Sequence, residues 1–133
     1  MLGVTVIASS SSVSPILYMT QGGTIRGPNI QGSGAHAIEI NQADDATITG
    51  CYVGPNVEGS AAPSPNADMG IDVWNASGVQ IGPYNLISGN GEHGIRIRGQ
   101  DSDDVDVFGN LIGTNAAATA DLGNGWAGVS AEG

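Results

Sequence analysis

Two short segments, each built around a pair of apolar residues, hold most of the side chains that could do chemistry: Asp68, Asp72, Trp74, Glu92, His93, Arg96 and Arg98. A carboxyl or imidazole group can transfer a proton. An arginine can pair bidentately with a carboxylate, and a tryptophan ring can serve as an apolar platform for a sugar. These residues can cooperate only if the fold brings the two segments to one surface.

The apolar pairs belong to an internal repeat, which is how the segments could meet. Four segments share one pattern: AIEI (37–40), GIDV (70–73), GIRI (94–97) and GVSA (128–131). Each of the first three is followed by a second short apolar segment, near 46–48, 79–81 and 105–107, and by a third, near 51–54, 85–89 and 110–114. Ile71 and Ile95 are 24 residues apart, and larger gaps come from inserts at 55–67 and 115–125.

Three short strands in such a unit cannot bury both faces alone, but stacked units can pair each strand in parallel with its copy one coil away. Helical stretches between strands, which a βαβ fold needs, are missing. The sequence therefore predicts an all-β, right-handed parallel β-helix of about four to five coils, with three short strands per coil. Residues 1–133 form a single β-helix domain, either a fragment or a self-stacking unit.

Alternation along the strands separates core from surface positions. The predicted core files are Ile38/Ile71/Ile95/Val129 with Ile40/Val73/Ile97, then Ile25/Ile48/Ile81/Val107, then Ile30/Val53/Ile87/Ile112. Outward files on the first strand are Glu39/Asp72/Arg96/Ser130 and Asn41/Trp74/Arg98/Glu132. Asp68, Glu92, His93 and Trp126 precede the same strands. One face would therefore carry all the candidate residues, either as a cross-strand Asp72–Arg96 ion pair or as a saccharide groove walled by the two inserts.

The segments NLISGNGEHGIRI and FGNLIGTNAAATADLGNGWAGVSAEG resemble the right-handed β-helix repeats of the pectin-lyase-like superfamily, which supports the handedness. NADMGIDV and EHGIRIRG partly resemble motifs of its polygalacturonase-like hydrolases. The resemblance implies Asp68 or Asp72 as an acid, His93 as a supporting base and Arg96 or Arg98 as a substrate clamp. Together with their position on the outward face, this gives four candidate catalytic residues, Asp72, Glu92, His93 and Arg96, and four candidate substrate-binding residues, Asp68, Trp74, Arg98 and Trp126. This sequence departs from the motifs: Met69 is inserted, Glu92-His93 replaces paired aspartates, and lysine is absent.

Two classes of function therefore compete. The incomplete motifs favour a non-catalytic extracellular β-solenoid, a structural, self-assembling or adhesive module with a saccharide-binding face. The alternative is a polysaccharide lyase or glycoside hydrolase that acts on acidic polysaccharides. Because neither end shows a cap, we expect head-to-tail self-association through open solenoid ends. A polysaccharide is the other expected partner.

Charge and composition restrict partners and location. The formal net charge is −10 with only three arginines, which argues against nucleic acid and against an anionic membrane. We expect an extracellular or cell-surface location, although the first residues do not form a convincing signal peptide.

The turn before the third strand carries Cys51, Asn85 and Asn110, which we predict to be a structural ladder with Cys51 as a small buried filler. The histidines are two coils apart, so no metal site and no cofactor is expected. The alternative is a weak Ca²⁺ site in the acidic turn at 101–104.

Overall fold

The structure, a computed structural model, describes residues 15–133 and the backbone of residues 5–7. It contains fourteen strands: β1 (Thr5–Ile7), β2 (Leu17–Met19), β3 (Thr24–Arg26), β4 (Asn29–Gln31), β5 (Ile38–Asn41), β6 (Thr47–Thr49), β7 (Tyr52–Val53), β8 (Ile71–Trp74), β9 (Gln80–Ile81), β10 (Leu86–Ile87), β11 (Ile95–Arg98), β12 (Asp106–Val107), β13 (Leu111–Ile112) and β14 (Val129–Glu132). No helix among the described residues could span a bilayer.

The strands form three parallel sheets. The first sheet has the order β2-β5-β8-β11-β14, the second β3-β6-β9-β12, and the third β1-β4-β7-β10-β13. The chain visits the three sheets in turn and then returns to the first one coil further along. The described residues therefore complete four coils, and β14 starts another. This arrangement confirms the predicted all-β parallel β-helix with three strands per coil.

The interior holds the predicted files in register. In the first sheet, Ile38 pairs with Ile71, Ile71 with Ile95, and Ile95 with Val129. The files centred on Ile48 in the second sheet and Val53 in the third are likewise continuous. Most of these side chains are fully buried, but Val129 on the outermost strand is 44% exposed. Stacked aliphatic side chains thus form one core cluster along the solenoid axis.

The two inserts are built alike and meet outside the solenoid. The Asn56 carboxamide oxygen accepts the Ser60 amide at 2.9 Å, and the Asn115 oxygen accepts the Thr119 amide at 2.9 Å. The Ala116 amide then donates to the carbonyl of Gly59 at 2.8 Å. Each insert follows a strand of the third sheet, β7 or β13, whereas the intervening β10 is followed by a short turn. The inserts therefore join across the coil that lacks one.

The position of the inserts corrects one expectation. They were expected to form walls beside the first sheet, but their tips lie against the outer face of the third. A Cβ atom added at Gly59, which has φ 67°, would lie 3.0 Å from Tyr52 Cε2 and 2.9 Å from Leu86 Cδ2. Leu86 points outward yet is only 2% exposed. A glycine is needed here because the loop backbone packs directly on these side chains.

Candidate functional site

The outer face of the first sheet aligns the polar side chains as the repeat predicts. Glu39, Asp72, Arg96 and Ser130 are successive register partners, and so are Asn41, Trp74, Arg98 and Glu132. Asp68 and Glu92 are also neighbours, because the Glu92 amide donates to the Asp68 carbonyl at 3.1 Å. The β-helix therefore does bring the candidate residues to one face.

Asp72 lies at the centre of this face, but it is fully buried. Its carboxylate accepts a hydrogen bond from Arg98 Nη2 at 2.7 Å, and Arg98 Nε lies 3.1 and 3.2 Å from its two oxygens. The expected ion pair with the register partner Arg96 is wrong. Arg98 lies two residues beyond Arg96 on the same strand, so it reaches Asp72 diagonally. From this position its guanidinium lies over the carboxylate and shields it from water. The hydrogen bond to Asp72 is the main cause that raises the pKa of Arg98.

His36 completes the cover over Asp72, and the sequence did not single it out for this cluster. Its Nε2 lies 3.8 Å from an Asp72 oxygen, and its Nδ1 lies 3.7 Å from an Asp68 oxygen. Both separations exceed a hydrogen bond, and Nδ1 is buried without a hydrogen-bond partner. One feature of the sequence could have placed His36 on this face: His36 and His93 both lie two residues before the first core position of their strands.

A second ion pair lies on the outermost coil. Arg96 contacts the carboxylate of Glu132 through Nε at 3.2 Å and Nη2 at 2.9 Å. These hydrogen bonds are the first cause of the lowered pKa of Glu132. Both side chains are partly open to solvent, at 27% and 45% exposure. This pair is therefore a surface contact, unlike the pair of Asp72 and Arg98.

The two tryptophans differ in accessibility. The guanidinium of Arg98 lies 5.5 Å from the centre of the Trp74 ring, so one face of that ring is covered. Trp126 is 68% exposed and meets the His93 ring edge to face at 5.2 Å. His93 Nδ1 accepts the amide of Ala127 at 3.2 Å. Of the two indoles, Trp126 is the one that offers an open surface to a ligand.

Two files of asparagine stabilise the turns. Asn85 and Asn110 form the first: the Asn85 amide group donates to the Ile48 carbonyl and to the Asn110 oxygen, each at 2.9 Å. Cys51 continues this file, because its backbone amide donates to the Asn85 oxygen at 2.9 Å. These contacts are structural, linking each coil to its neighbour.

The second asparagine file was not predicted. It follows the third strand of each coil and contains Asn66, Asn90 and Asn124, with Ser33 at its start. The Asn90 amide group donates to the Val53 carbonyl at 3.2 Å and to the Asn124 oxygen at 2.9 Å. The sequence indicates this file only in part, because Asn90 and Asn124 each follow a glycine whereas Asn66 follows Pro65.

The side chains that could ligate a metal ion are scattered over the fold. Cys51 is fully buried, and burial raises the pKa of its thiol to about 11. His36 and His93 belong to coils two apart. Asp101, Asp103 and Asp104 in the acidic turn are exposed. Over the described part of the chain, no three His, Cys, Asp or Glu side chains converge to hold a metal ion.

Comparison with known proteins agrees with the architecture. A sequence model of the family described as "Periplasmic copper-binding protein (NosD)" matches residues 4–131, nearly the whole chain. No curated protein and no solved structure matches the chain. The family consists of right-handed parallel β-helices in the pectin-lyase-like superfamily, as the sequence motifs indicate. The chain therefore belongs to the NosD family of periplasmic β-helix proteins.

Proposed function

We propose that this chain is a non-catalytic β-solenoid that acts outside the cytoplasm as a structural or adhesive module. The periplasmic description of the family supports the location. The burial of Asp72 supports the absence of catalysis. A general acid or base must come within hydrogen-bond reach of its substrate, whereas Asp72 is covered by His36 and bound by Arg98. On this proposal Asp72 fastens adjacent coils and transfers no proton.

The competing enzyme function would have to use the carboxyls that solvent reaches. Asp68 and Glu92 are partly exposed neighbours on successive coils. The test is incubation of the protein with polygalacturonate, alginate and neutral polysaccharides, with and without Ca²⁺. We expect no new unsaturated ends and no new reducing ends. Product formation that Asp68→Asn or Glu92→Gln abolishes would overturn the proposal and assign the pair a catalytic role.

The adhesive surface that we propose on the first sheet is centred on Trp126. Its ring is open and is held edge to face by His93, and exposed aromatic rings suit sugar stacking. Affinity electrophoresis in gels containing polygalacturonate tests this. Trp126→Ala should lose retardation, whereas Tyr18→Ala, which removes another exposed ring, should keep it. Equal retardation of both variants and the unmodified protein would contradict a Trp126 surface.

Self-association is a second candidate, favoured by the outermost described coil. Strands β12, β13 and β14 each pair on one side only, and Phe108, Leu111 and Val129 are 45%, 38% and 44% exposed. Unpaired strand edges beside apolar side chains can accept another coil. Sedimentation velocity should detect concentration-dependent assembly, which Val129→Lys should suppress. A strictly monomeric protein at the highest soluble concentration would refute it.

The family description names copper, whereas the sequence predicts no cofactor beyond a weak Ca²⁺ site. Copper prefers imidazole, thiolate and thioether donors. The chain has two histidines, one cysteine and three methionines. Of the methionines that the structure describes, Met69 is 4% exposed and Met19 packs against the core. His93 already accepts a backbone amide, and the thiol is buried and protonated. These residues do not fit a closed copper centre, and the proposed function involves no copper step.

A further inference from the structure

The third sheet carries a cleft that lies apart from the first-sheet face. The cleft has a volume of about 220 Å³ and is lined by Tyr52, Tyr84, Asn85, Leu86, Gly109, Leu111 and Ala116. Tyr52, Leu86 and Leu111 are register partners on three successive coils, so they form a continuous floor. The joined inserts close one side through Ala116.

Tyr84 forms the opposite side, and its backbone is held in an unfavourable conformation. It has φ 70°, a left-handed value that bulky side chains rarely adopt. Its amide is fixed by a 2.8 Å hydrogen bond to the Gly109 carbonyl. Packing of the Tyr84 ring contributes little to the stability of the fold, because the residue is 80% exposed. An exposed aromatic residue kept in a strained backbone position points to a function of the ring itself.

The lining selects the class of ligand. None of the seven lining residues carries a charge, and the chain as a whole has a formal charge of −10. A polyanion would find no cation here and would be repelled by the surrounding field. A neutral sugar ring offers an apolar face to an aromatic ring, and its hydroxyls can bond a phenol oxygen. The cleft is smaller than pockets for drug-sized ligands, which suits a single ring.

We propose that the cleft between Tyr84 and the joined inserts binds one ring of a neutral saccharide. Tyr84 stacks on the ring, and Tyr52, Leu86 and Leu111 form the apolar floor. The site is independent of the first-sheet surface. Its ligand differs from the acidic polysaccharides that the superfamily resemblance suggests.

The test measures binding of neutral cello-, xylo- and manno-oligosaccharides, with oligogalacturonate as the acidic comparison, by calorimetry and saturation-transfer NMR. We expect at least one neutral series to bind and oligogalacturonate not to bind at this cleft. Tyr84→Ala should weaken binding at least tenfold and Tyr84→Phe less than threefold. Tyr18→Ala, which removes an exposed ring of the first sheet, should leave it unchanged, so the loss would be specific to the Tyr84 ring.

Tyr84→Asn is the decisive variant, because asparagine tolerates the left-handed conformation. It should raise the thermal midpoint by a few degrees while losing saccharide binding, so the loss cannot be ascribed to misfolding. The proposal is overturned if no neutral oligosaccharide binds at millimolar concentration. It is equally overturned if binding survives Tyr84→Asn, or if oligogalacturonate binds the cleft more tightly than every neutral series.

Discussion

Replacement of Arg98 by methionine should destabilise the fold more than replacement of Asp72 by asparagine, although both break the same ion pair. In Arg98→Met the aliphatic stem can still cover Trp74, but the Asp72 carboxylate loses its cation. That carboxylate has no exposed surface and would keep only His36, whose Nε2 is 3.8 Å away. In Asp72→Asn, by contrast, the remaining guanidinium is already 32% exposed and can turn into water.

The size of the difference follows from these exposures. Removing one partner from a fully buried ion pair costs about 3–5 kcal/mol. Because Arg98 is partly exposed, water can enter where the guanidinium was, so we expect roughly 2–3 kcal/mol for Arg98→Met. We expect about 1 kcal/mol for Asp72→Asn, the scale of a lost hydrogen-bonded contact. For a chain of this length, 2–3 kcal/mol corresponds to a fall of roughly 8–12 °C in the thermal midpoint.

Arg96→Met is the matched control, since Arg96 lies on the same strand and pairs only with the exposed Glu132. It should leave the midpoint nearly unchanged. Thermal and urea unfolding followed by tryptophan fluorescence and circular dichroism would measure all three variants and the double variant Asp72→Asn/Arg98→Met. The double variant should be more stable than Arg98→Met alone, because the uncompensated charge is gone.

Two results would refute this reasoning. If Arg98→Met costs no more than Arg96→Met, the Asp72 carboxylate is not desolvated as its burial indicates. If the double variant is as unstable as the sum of the single variants, the two groups are not coupled.

Three further predictions concern the buried Cys51 thiol, the second asparagine file and the scattered side chains that could ligate a metal. Because the pKa of Cys51 is raised from 9.0 to about 11, its contribution to stability is present below pH 9 and is lost as the pH rises through about 11. Between pH 9 and pH values above 11, the free energy of unfolding of the unmodified protein should therefore fall by roughly 2–3 kcal/mol more than that of the Cys51→Ala variant. An equal fall in both proteins would contradict this. Asn90→Ala should lower the free energy of unfolding by about 3 kcal/mol, because the Val53 carbonyl and the Asn66 amide group lose buried partners; a surface Asn56→Ala change is the comparison in urea unfolding. Calorimetric titration with Cu²⁺ should show no tight 1:1 complex, and a micromolar site that His36→Ala removes would show that the donors do converge.

The sequence predicts the interior of the solenoid well and its surface less well, for a physical reason. Core positions obey strict alternation and, where no insert intervenes, a period of 23 or 24 residues, so Ile25 aligns with Ile48 and Ile71 with Ile95. Outward positions are set by the reach of long side chains. Alternation puts Asp72 beside Arg96, but the guanidinium two residues further along covers the carboxylate better. An outward position need not be an exposed one.

The second asparagine file escaped prediction for a related reason. Its members lack the shared flanking residues that mark the core files: Asn90 and Asn124 follow a glycine, Asn66 follows Pro65, and Ser33 takes the first position. The inserts themselves were found as breaks in the repeat, but their direction depends on contacts across coils. The hydrogen bond between Ala116 and Gly59 exists because the intervening coil has no insert. A single-coil pattern does not contain that information.

The two outer faces are stabilised in different ways, and this difference supports the different roles that we propose for them. On the first sheet, ion pairs between coils hold Asp72 to Arg98 and Arg96 to Glu132, which supports the proposal that Asp72 serves the scaffold. On the third sheet, the coils are covered by loops from every second turn, which leave an uncharged cleft beside a strained tyrosine. Recognition in rigid scaffolds usually lies in their loops. The face with fewer charged residues is therefore the one better suited to bind a neutral ligand, because its side chains are not already engaged with one another.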